Sequence, residues 1–174
     1  IGTANLDYDN TDNCARLYSN EITFNLVKTV LVQSPIYIEK IVELDNKKIG
    51  YLMYNQFVGF LESENKDYNQ DLNEVFLNFK SNNIDELVLD LRYNPGGSSY
   101  TQNILASLIT GQFTDDIYSQ RVFNSKVTEA YKDNQEAFIT RFQSKLESGS
   151  TLNSLNLTRV YVLTTSSSAS SSEG

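Results

Sequence analysis

The sequence predicts an α/β fold in which helices alternate with parallel strands, and three of its patterns predict that fold. Residues 87–91 form an almost entirely apolar run without alternation, which is typical of a strand buried on both faces. A helical pattern precedes this run, and another follows it after Gly97. Because a further strand is predicted over 48–57, the chain contains a strand–helix–strand unit. Such a unit predicts parallel strands joined by a right-handed crossover.

Apolar periodicity and turn residues assign the elements in chain order. Residues 1–20 are polar and show no strong periodicity. In Ile22–Lys28, apolar and polar residues alternate, which predicts a strand. Residues 29–32 either extend this strand or follow it. One helix is predicted over 70–81 from an apolar stripe of four residues: Leu72, Val75, Phe76 and Phe79. The later elements are a helix from Gly97 to Gly111, an extended stretch or hairpin over 117–127, a third helix over 133–147 and a strand over 159–163.

The third helix is predicted from spacing alone. Phe138, Phe142 and Leu146 follow one another at intervals of four residues, and Ile139 lies beside the first. That spacing places side chains on one face of a helix.

Composition bounds the function. Fourteen basic and 22 acidic residues give a formal charge of −8, which argues against nucleic acid or an anionic membrane surface as a partner. No apolar run reaches the ~18–20 residues of a membrane span, so no span is expected in this chain. With 40% hydrophobic residues, a chain of 174 residues fits one domain with a genuine core.

Histidine and cysteine usage narrows the possible chemistry. Cys14 is the single cysteine, which excludes an intrachain disulfide and a cysteine metal site, and we expect it to be inert. The chain has no histidine, so no Ser-His-Asp triad and no histidine-ligated metal site can form within it. Serine chemistry would therefore need another base, for which lysine is the known substitute.

The predicted strand through Leu91 ends in Asn-Pro-Gly-Gly. Glycines let the backbone approach a ligand, and the following helix start leaves N–H groups that suit a negative charge. The alternative is a purely structural turn. Asp90 and Arg92 lie beside it, and we expect them to support the turn as an ion pair or through hydrogen bonds rather than to act in catalysis, because buried charges usually persist only when paired.

Residues 164–172 form a serine-rich tract in which eight of nine residues carry a hydroxyl. Composition alone favours a flexible linker. However, an apolar strand leads directly into the tract, and Glu173 stands three residues after Ser170, as in a capping box. Ser170 could then be a helix N-cap.

Two segments together resemble the carboxy-terminal processing (tail-specific) serine peptidases. Residues 86–98, ELVLDLRYNPGGS, are similar to one signature of that family. Residues 160–173 resemble its apolar strand followed by S-A-S-A-S-E. The resemblance covers roughly residues 30–174.

The resemblance implies a site. Ser170 would be the nucleophile, and the backbone N–H groups of Gly96 or Gly97 and of Ser171 would form the oxyanion hole. The family usually has alanine where this chain has Ser171, and backbone donation survives that change. The implied base is a lysine downstream of the nucleophile, yet none of the nine lysines follows Ser170.

The resemblance also implies an architecture. It narrows the α/β fold to the spiral ββα core shared with ClpP and crotonase proteins, truncated at its C-terminal end and preceded by a short β-rich segment. Residues 1–45 would be the end of a PDZ-like domain or a linker from it, and residues 46–174 the N-terminal part of the catalytic core. The missing C-terminal remainder of the same protein would supply the lysine, so this chain alone is expected to be inactive or nearly so.

The function implied is a serine endopeptidase with a Ser–Lys dyad that cleaves polypeptides near their C-termini through an acyl-enzyme. No metal or organic cofactor is implied, and the setting would be a bacterial cell envelope or periplasm. Two alternatives remain: a non-catalytic relative that binds peptides or small ligands, and an acyl-thioester enzyme of the crotonase type.

Overall fold

The computed structural model describes residues 5–9, 14–19, 22–27 and 33–172. Contacts divide the chain into two units, 1–33 and 34–174. In the first unit, β1 (Asn5–Asp9), β2 (Cys14–Ser19) and β3 (Ile22–Val27) form an antiparallel sheet in that order. The predicted strand at 22–28 is confirmed as β3, whereas β1 and β2 lie where weak periodicity predicted no element. Residues 29–32, the predicted extension, lie outside the described residues.

The second unit holds the remaining elements. Short 3₁₀ turns lie at Glu62–Glu64, Gln135–Phe138 and Ser170–Ser172. The strands and α-helices follow in this order: β4 (Ile36–Leu44), β5 (Lys47–Tyr54), β6 (Phe60–Leu61), β7 (Lys66–Asp67), α1 (Tyr68–Ser81), β8 (Glu86–Asp90), α2 (Ser99–Thr110), β9 (Ile117–Gln120), α3 (Ser125–Ala130), β10 (Ile139–Arg141) and β11 (Val160–Leu163).

The main sheet of this unit has the order β11-β8-β5-β4. Both β5 and β11 pair in parallel with β8, and β4 pairs antiparallel with β5. Leu89 in the middle of β8 lies opposite Leu52 on one side and Val162 on the other. The predicted parallel strands and the α/β class are thereby confirmed, while the spiral arrangement and its truncation stay predictions. The division into an N-terminal segment, residues 1–45, and a catalytic core, residues 46–174, also stays a prediction. The contacts place β4, which lies before residue 46, in the second unit.

The two predicted long helices are confirmed, although α1 begins at Tyr68 and not at residue 70. At the start of α1, the Asp67 side chain accepts the N–H of Asn69 at 3.0 Å, and α2 is followed by Gly111 with a φ of +65°. Apolar residues of both helices meet the sheet in one core, whose fully buried members include Leu52, Leu72, Phe76, Phe79, Leu87, Ile104 and Leu108.

The predicted third helix over 133–147 is wrong. This segment forms a 3₁₀ turn and then β10, which pairs antiparallel with β9. Phe138-Ile139-Thr140-Arg141-Phe142 is rich in aromatic and β-branched residues, which fit a pleated strand better than a helix. The two phenylalanines pack in separate aromatic clusters: Phe138 against Phe123 and Tyr131, and Phe142 against Phe113 and Tyr118.

The stretch predicted as extended over 117–127 is confirmed only in its first part. Residues Ile117–Gln120 form β9, but α3 begins at Ser125. The Asn124 side chain accepts the N–H of Val127 at 3.1 Å and so caps this short helix.

Candidate active site

The turn after β8 carries two glycines in a backbone region that other residues rarely adopt. Gly96 has a φ of +101° and Gly97 a φ of +137°. Ser98 then caps α2, since its Oγ accepts the N–H of Thr101 at 3.3 Å. The order predicted from the sequence is therefore confirmed: a strand, then the double glycine, then the start of a helix.

Gly97 lies against the backbone of Phe57, just beyond the end of β5. The Phe57 N–H donates to the Gly96 carbonyl at 3.0 Å, and the Phe57 carbonyl accepts the N–H of Ser98 at 2.8 Å. A Cβ on Gly97 would overlap the Phe57 carbonyl oxygen. This close approach admits only glycine.

Asn94 is the buried centre of the turn, with an exposed fraction of 0%. Its Oδ1 accepts the N–H of Gly96 at 2.8 Å, and its Nδ2 donates to the Tyr54 carbonyl at 2.9 Å. Its own carbonyl accepts from Ala169 N–H at 3.3 Å and from Ser172 Oγ at 2.9 Å. Sequence reasoning missed Asn94, although an asparagine that can bond the N–H two residues ahead is a known turn signal.

The serine-rich tract is bonded to the end of β8 and is not a free linker. Thr165 Oγ1 donates to the Arg92 carbonyl at 2.7 Å, and Ser168 Oγ donates to the Leu91 carbonyl at 2.6 Å. Ser168 is buried, and the Thr165 N–H donates back to its Oγ at 3.1 Å. The tract is thus held beside the glycine turn by its own hydroxyl groups.

Ser170 is exposed and has a φ of +55°. This left-handed conformation is uncommon for a residue other than Gly, Asn or Asp. In the described part of the chain, the other non-glycine residues with positive φ are all Asn or Asp: Asp45, Asn46, Asn65, Asn83, Asp115 and Asn156. Serine lacks their tolerance, so its surroundings must hold it there, and such strain often accompanies a functional site. An N-cap residue has an extended backbone instead.

The glycine turn and Ser170 are in direct contact. A Cβ built on Gly96 would lie 2.6 Å from the Cβ of Ser170 and 3.0 Å from the N atom of Ser171. The structure thereby brings the four predicted site residues, Ser170, Ser171, Gly96 and Gly97, to one place.

The N–H groups of these residues differ in availability. The Gly96 N–H is committed to Asn94 Oδ1. Within residues 33–172, no acceptor is found for the N–H of Gly97 or of Ser171. Two free backbone donors beside an exposed hydroxyl form an arrangement that can receive a developing negative charge.

The Ser171 side chain links the two segments. Its Oγ donates to the Gly97 carbonyl at 3.0 Å. This hydroxyl therefore links Ser171 to Gly97, the two residues whose N–H groups have no acceptor within residues 33–172.

Asp90 and Arg92 form the predicted ion pair beneath the turn. Asp90 has no exposed surface, and Arg92 Nη2 donates to its Oδ2 at 2.7 Å. Tyr51, which sequence reasoning missed, donates its hydroxyl to the same oxygen at 2.6 Å. Hydrogen bonds from Arg92, followed by the Tyr51 hydroxyl, lower the pKa of Asp90 to about 2 although burial opposes this. The carboxylate is therefore structural, and its role as an ion-pair partner is confirmed.

Two further features are absent from the described part of the chain. No group of three or more carboxylate, cysteine or histidine side chains there could hold a metal ion. No helix in that part is long and apolar enough to cross a membrane. The side chain of Cys14 lies outside the described residues.

Comparison with known proteins assigns the sequence to a family. The sequence profile of peptidase family S41 matches residues 48–174. A crystal structure of a protein assigned as an S41 protease from Bacteroides fragilis is 28% identical, with a TM-score of 0.71 over 92% of this chain and 43% of its own. A photosystem II D1 C-terminal processing protease is 16% identical, with a TM-score of 0.52 over 93% of this chain and 39% of its own, and shows the shared fold.

The chain thus spans less than half of the length of these two solved structures. No match was found among the curated proteins. The family profile covers well over half of the sequence, including the glycine turn and the serine-rich tract. The chain belongs to peptidase family S41.

Proposed function

We propose that this chain carries the nucleophile and the oxyanion hole of a serine endopeptidase that cleaves polypeptides near their C-termini. Ser170 is the nucleophile in this proposal. The single observation that carries it is the placement of Ser170, in a strained and exposed conformation, directly against the glycine turn.

The two backbone N–H groups that have no acceptor among the described residues suit the oxyanion. When Ser170 Oγ attacks a peptide carbonyl carbon, the carbonyl oxygen becomes negative, and the N–H groups of Gly97 and Ser171 would stabilise it. A preset donor of this kind is worth about 10²–10³ in rate. Because the Gly96 N–H donates to Asn94 Oδ1, we assign the glycine donor to Gly97 and a role in close packing to Gly96.

The base in this proposal is a lysine. It accepts the proton of the Ser170 hydroxyl during attack and returns it to the leaving amine, and water then hydrolyses the acyl-enzyme. None of the nine lysines of this chain follows Ser170. We therefore assign the base to a part of the protein beyond these 174 residues, and we expect low activity from this chain alone, since a positioned base contributes about 10²–10⁴.

The family supports the class of substrate, whereas the proposed setting comes from sequence resemblance alone. A peptidase acts on polypeptides, and cleavage near C-termini and a place in the bacterial cell envelope come from the resemblance of residues 86–98 and 160–173. The α/β core is proposed to be the first part of the spiral ββα fold, with residues 1–45 belonging to or leading from a PDZ-like domain.

A fluorophosphonate probe tests the nucleophile in the full-length protein. Such probes form a covalent bond with an activated serine hydroxyl and release fluoride, so labelling of the wild type should be lost in Ser170→Ala. Ser167→Ala is the matched control, because Ser167 is an exposed serine of the same tract. Labelling that persists in Ser170→Ala would overturn the assignment, and a wild type that is never labelled would favour a non-catalytic binding protein.

A further inference from the structure

A cavity lies between the first turns of α2 and the two-stranded ribbon of β9 and β10. Its volume is about 560 Å³, within the ~300–1,000 Å³ that is usual for pockets that hold small ligands. The residues that line it include Ser99, Tyr100 and Ala106 of α2 and Tyr118 of the ribbon. Ser99 is the second residue after Gly97, so the cavity begins two residues along the chain from the proposed oxyanion hole.

Buried side chains of α2 hold the ribbon in place. Asn103 is 0% exposed, and its Nδ2 donates to the Arg141 carbonyl of β10 at 2.8 Å. Ser107 is 1% exposed, and its Oγ accepts the N–H of Gln143, just beyond β10, at 2.9 Å. Because these contacts need no ligand, the cavity is already formed in the free protein, as is usual for binding pockets.

One positive charge lies at this cavity without an acidic partner. Arg121 lines it, and none of its described lining residues is acidic. Within residues 33–172, Arg121 forms no ion pair, and the one hydrogen bond of its side chain is a long one, from Nη2 to the Ala137 carbonyl at 3.4 Å. The other three arginines of that range each face a carboxylate: Arg92 that of Asp90, Arg141 that of Glu136 and Arg159 that of Glu86.

The unpaired arginine stands out against the charge of the whole chain. The 22 acidic residues outnumber the 14 basic ones, so acidic partners are plentiful. A guanidinium presents a fork of N–H groups that matches the two oxygens of a carboxylate. Ser119 and Thr140 also line the cavity and carry hydroxyl donors.

We infer that this cavity binds a carboxylate with an apolar stem. Arg121 receives the carboxylate, and Tyr100, Tyr118 and Ala106 supply apolar surface for the stem. The identification of the ligand as part of a substrate polypeptide rests on the proposed peptidase function. In that setting the cavity selects polypeptides with a carboxylate near the cleaved bond, supplied either by an acidic side chain or by the end of the chain.

Binding of the isolated group can be measured without any catalysis. In NMR titrations of the full-length protein, sodium 4-phenylbutyrate is expected to shift the amide signals of Ser119, Arg121 and Thr140. 4-Phenylbutanamide has the same shape without the charge and should bind about tenfold more weakly, because charge-assisted hydrogen bonds are lost. Absence of shifts with 4-phenylbutyrate, or equal affinity for the two compounds, would overturn the inference.

Arg121→Gln tests the charge. It should weaken 4-phenylbutyrate binding by about tenfold and leave 4-phenylbutanamide binding unchanged. Arg121 is exposed, so the fold should tolerate the change. The matched control is Lys126→Gln, which removes an exposed positive charge of α3 and should leave the binding of both compounds unchanged.

Ala106→Leu tests the space. Ala106 is half-buried in α2, and leucine is a good helix former, so the larger side chain should occupy the cavity without breaking the helix. Both compounds should then bind more weakly. Unchanged binding in Ala106→Leu would contradict the assigned site, and a loss there without a loss in Arg121→Gln would contradict recognition of the carboxylate.

Peptide titrations of full-length Ser170→Ala protein identify the source of the carboxylate. One series of short peptides carries glutamate or glutamine at each position in turn, and a second series has a free or an amidated C-terminus. A preference of about tenfold for glutamate at one position assigns the carboxylate to a side chain, and the same preference for the free C-terminus assigns it to the chain end. Arg121→Gln should remove either preference, and absence of both would overturn the substrate role.

Fluorophosphonate labelling of Ser170 reports independently on the proposed function. Labelling of the wild type without either peptide preference would refute the inference and leave the peptidase proposal intact. Binding of 4-phenylbutyrate by a protein that is never labelled would refute the peptidase proposal and leave the carboxylate site intact.

Discussion

Gly96 lies so close to Ser170 that a Cβ on the glycine would come within 2.6 Å of the Cβ of the serine. The carbonyl oxygen of Ala169 would be only 2.7 Å from the same Cβ. This contact joins the end of β8 to the segment after β11, which are neighbouring parallel strands. The carboxyl ends of parallel strands lie at one edge of the sheet, so the two motifs meet there.

Replacement of Gly96 by alanine should destabilise the protein through two effects. A φ of +101° is unfavourable for alanine, and the added methyl group would overlap Ser170. Gly149→Ala is the matched control, because Gly149 has a φ of +88° but no atom within 4 Å of the point that an added methyl group would occupy. Overpacking costs about 1–3 kcal/mol, so Gly96→Ala should lose that much more unfolding free energy than the control in urea titrations. Equal losses would show that the contact is not tight.

Asn94→Ala should reduce the free energy of unfolding by about 1–3 kcal/mol per group left unsatisfied, because a buried N–H and a buried carbonyl lose their partners. It should also slow fluorophosphonate labelling of Ser170, since the turn loses its anchor. Asn82→Ala is the control: Asn82 also donates its Nδ2 to a backbone carbonyl, at 2.9 Å, but it is exposed. A loss no greater than that of Asn82→Ala would contradict the role of Asn94.

Ser171→Ala separates the side chain from the backbone. The variant loses the hydrogen bond from Ser171 Oγ to the Gly97 carbonyl, which is worth about 0.5–1.5 kcal/mol of stability. Its backbone N–H remains, so the rate of Ser170 labelling should change by no more than about threefold. Complete loss of labelling with an intact fold would show that the Ser171 hydroxyl itself takes part in the chemistry.

Asp90 should make stability depend on acid pH. Its pKa is about 2 in the folded protein against an ordinary value of 3.8, so the folded state favours the charged form. The resulting stability is present above pH 4 and is lost as the pH falls through about 2. Thermal unfolding of Asp90→Asn should show a shallower loss over this range than the wild type.

The exposed Asp133 provides the control for that measurement. Asp133→Asn should retain the wild-type dependence on acid pH. If Asp90→Asn lost stability at acid pH as steeply as the wild type, that result would contradict the ion pair of Asp90 with Arg92.

Local sequence patterns predicted the elements that are buried and those that end at a clear turn signal. The unalternating run before Asn94, the apolar stripe of residues 70–81 and the Pro-Gly-Gly turn have strong local causes, and each lies where expected. The segment 133–147 failed because a four-residue spacing of aromatic residues can arise from separate clusters as well as from a helix face. Weak periodicity likewise concealed β1 and β2.

The candidate site could be predicted only in part, because some of its contacts join residues that are far apart in the sequence. Family resemblance marked Ser170 and the double glycine, but the roles of Asn94 and Tyr51 depend on partners far away in the chain. The availability of the two glycine N–H groups also depends on a side-chain contact. The Gly96 N–H donates to Asn94 Oδ1, whereas the Gly97 N–H has no acceptor among the described residues. These contacts arise from packing, which periodicity does not record.

A crystal structure of the full-length protein after reaction with a fluorophosphonate tests the central claim most directly. We expect phosphorus bonded to Ser170 Oγ and a phosphonyl oxygen about 2.7–3.1 Å from the N atoms of Gly97 and Ser171. An adduct on another residue, or a phosphonyl oxygen turned away from both N–H groups, would contradict it.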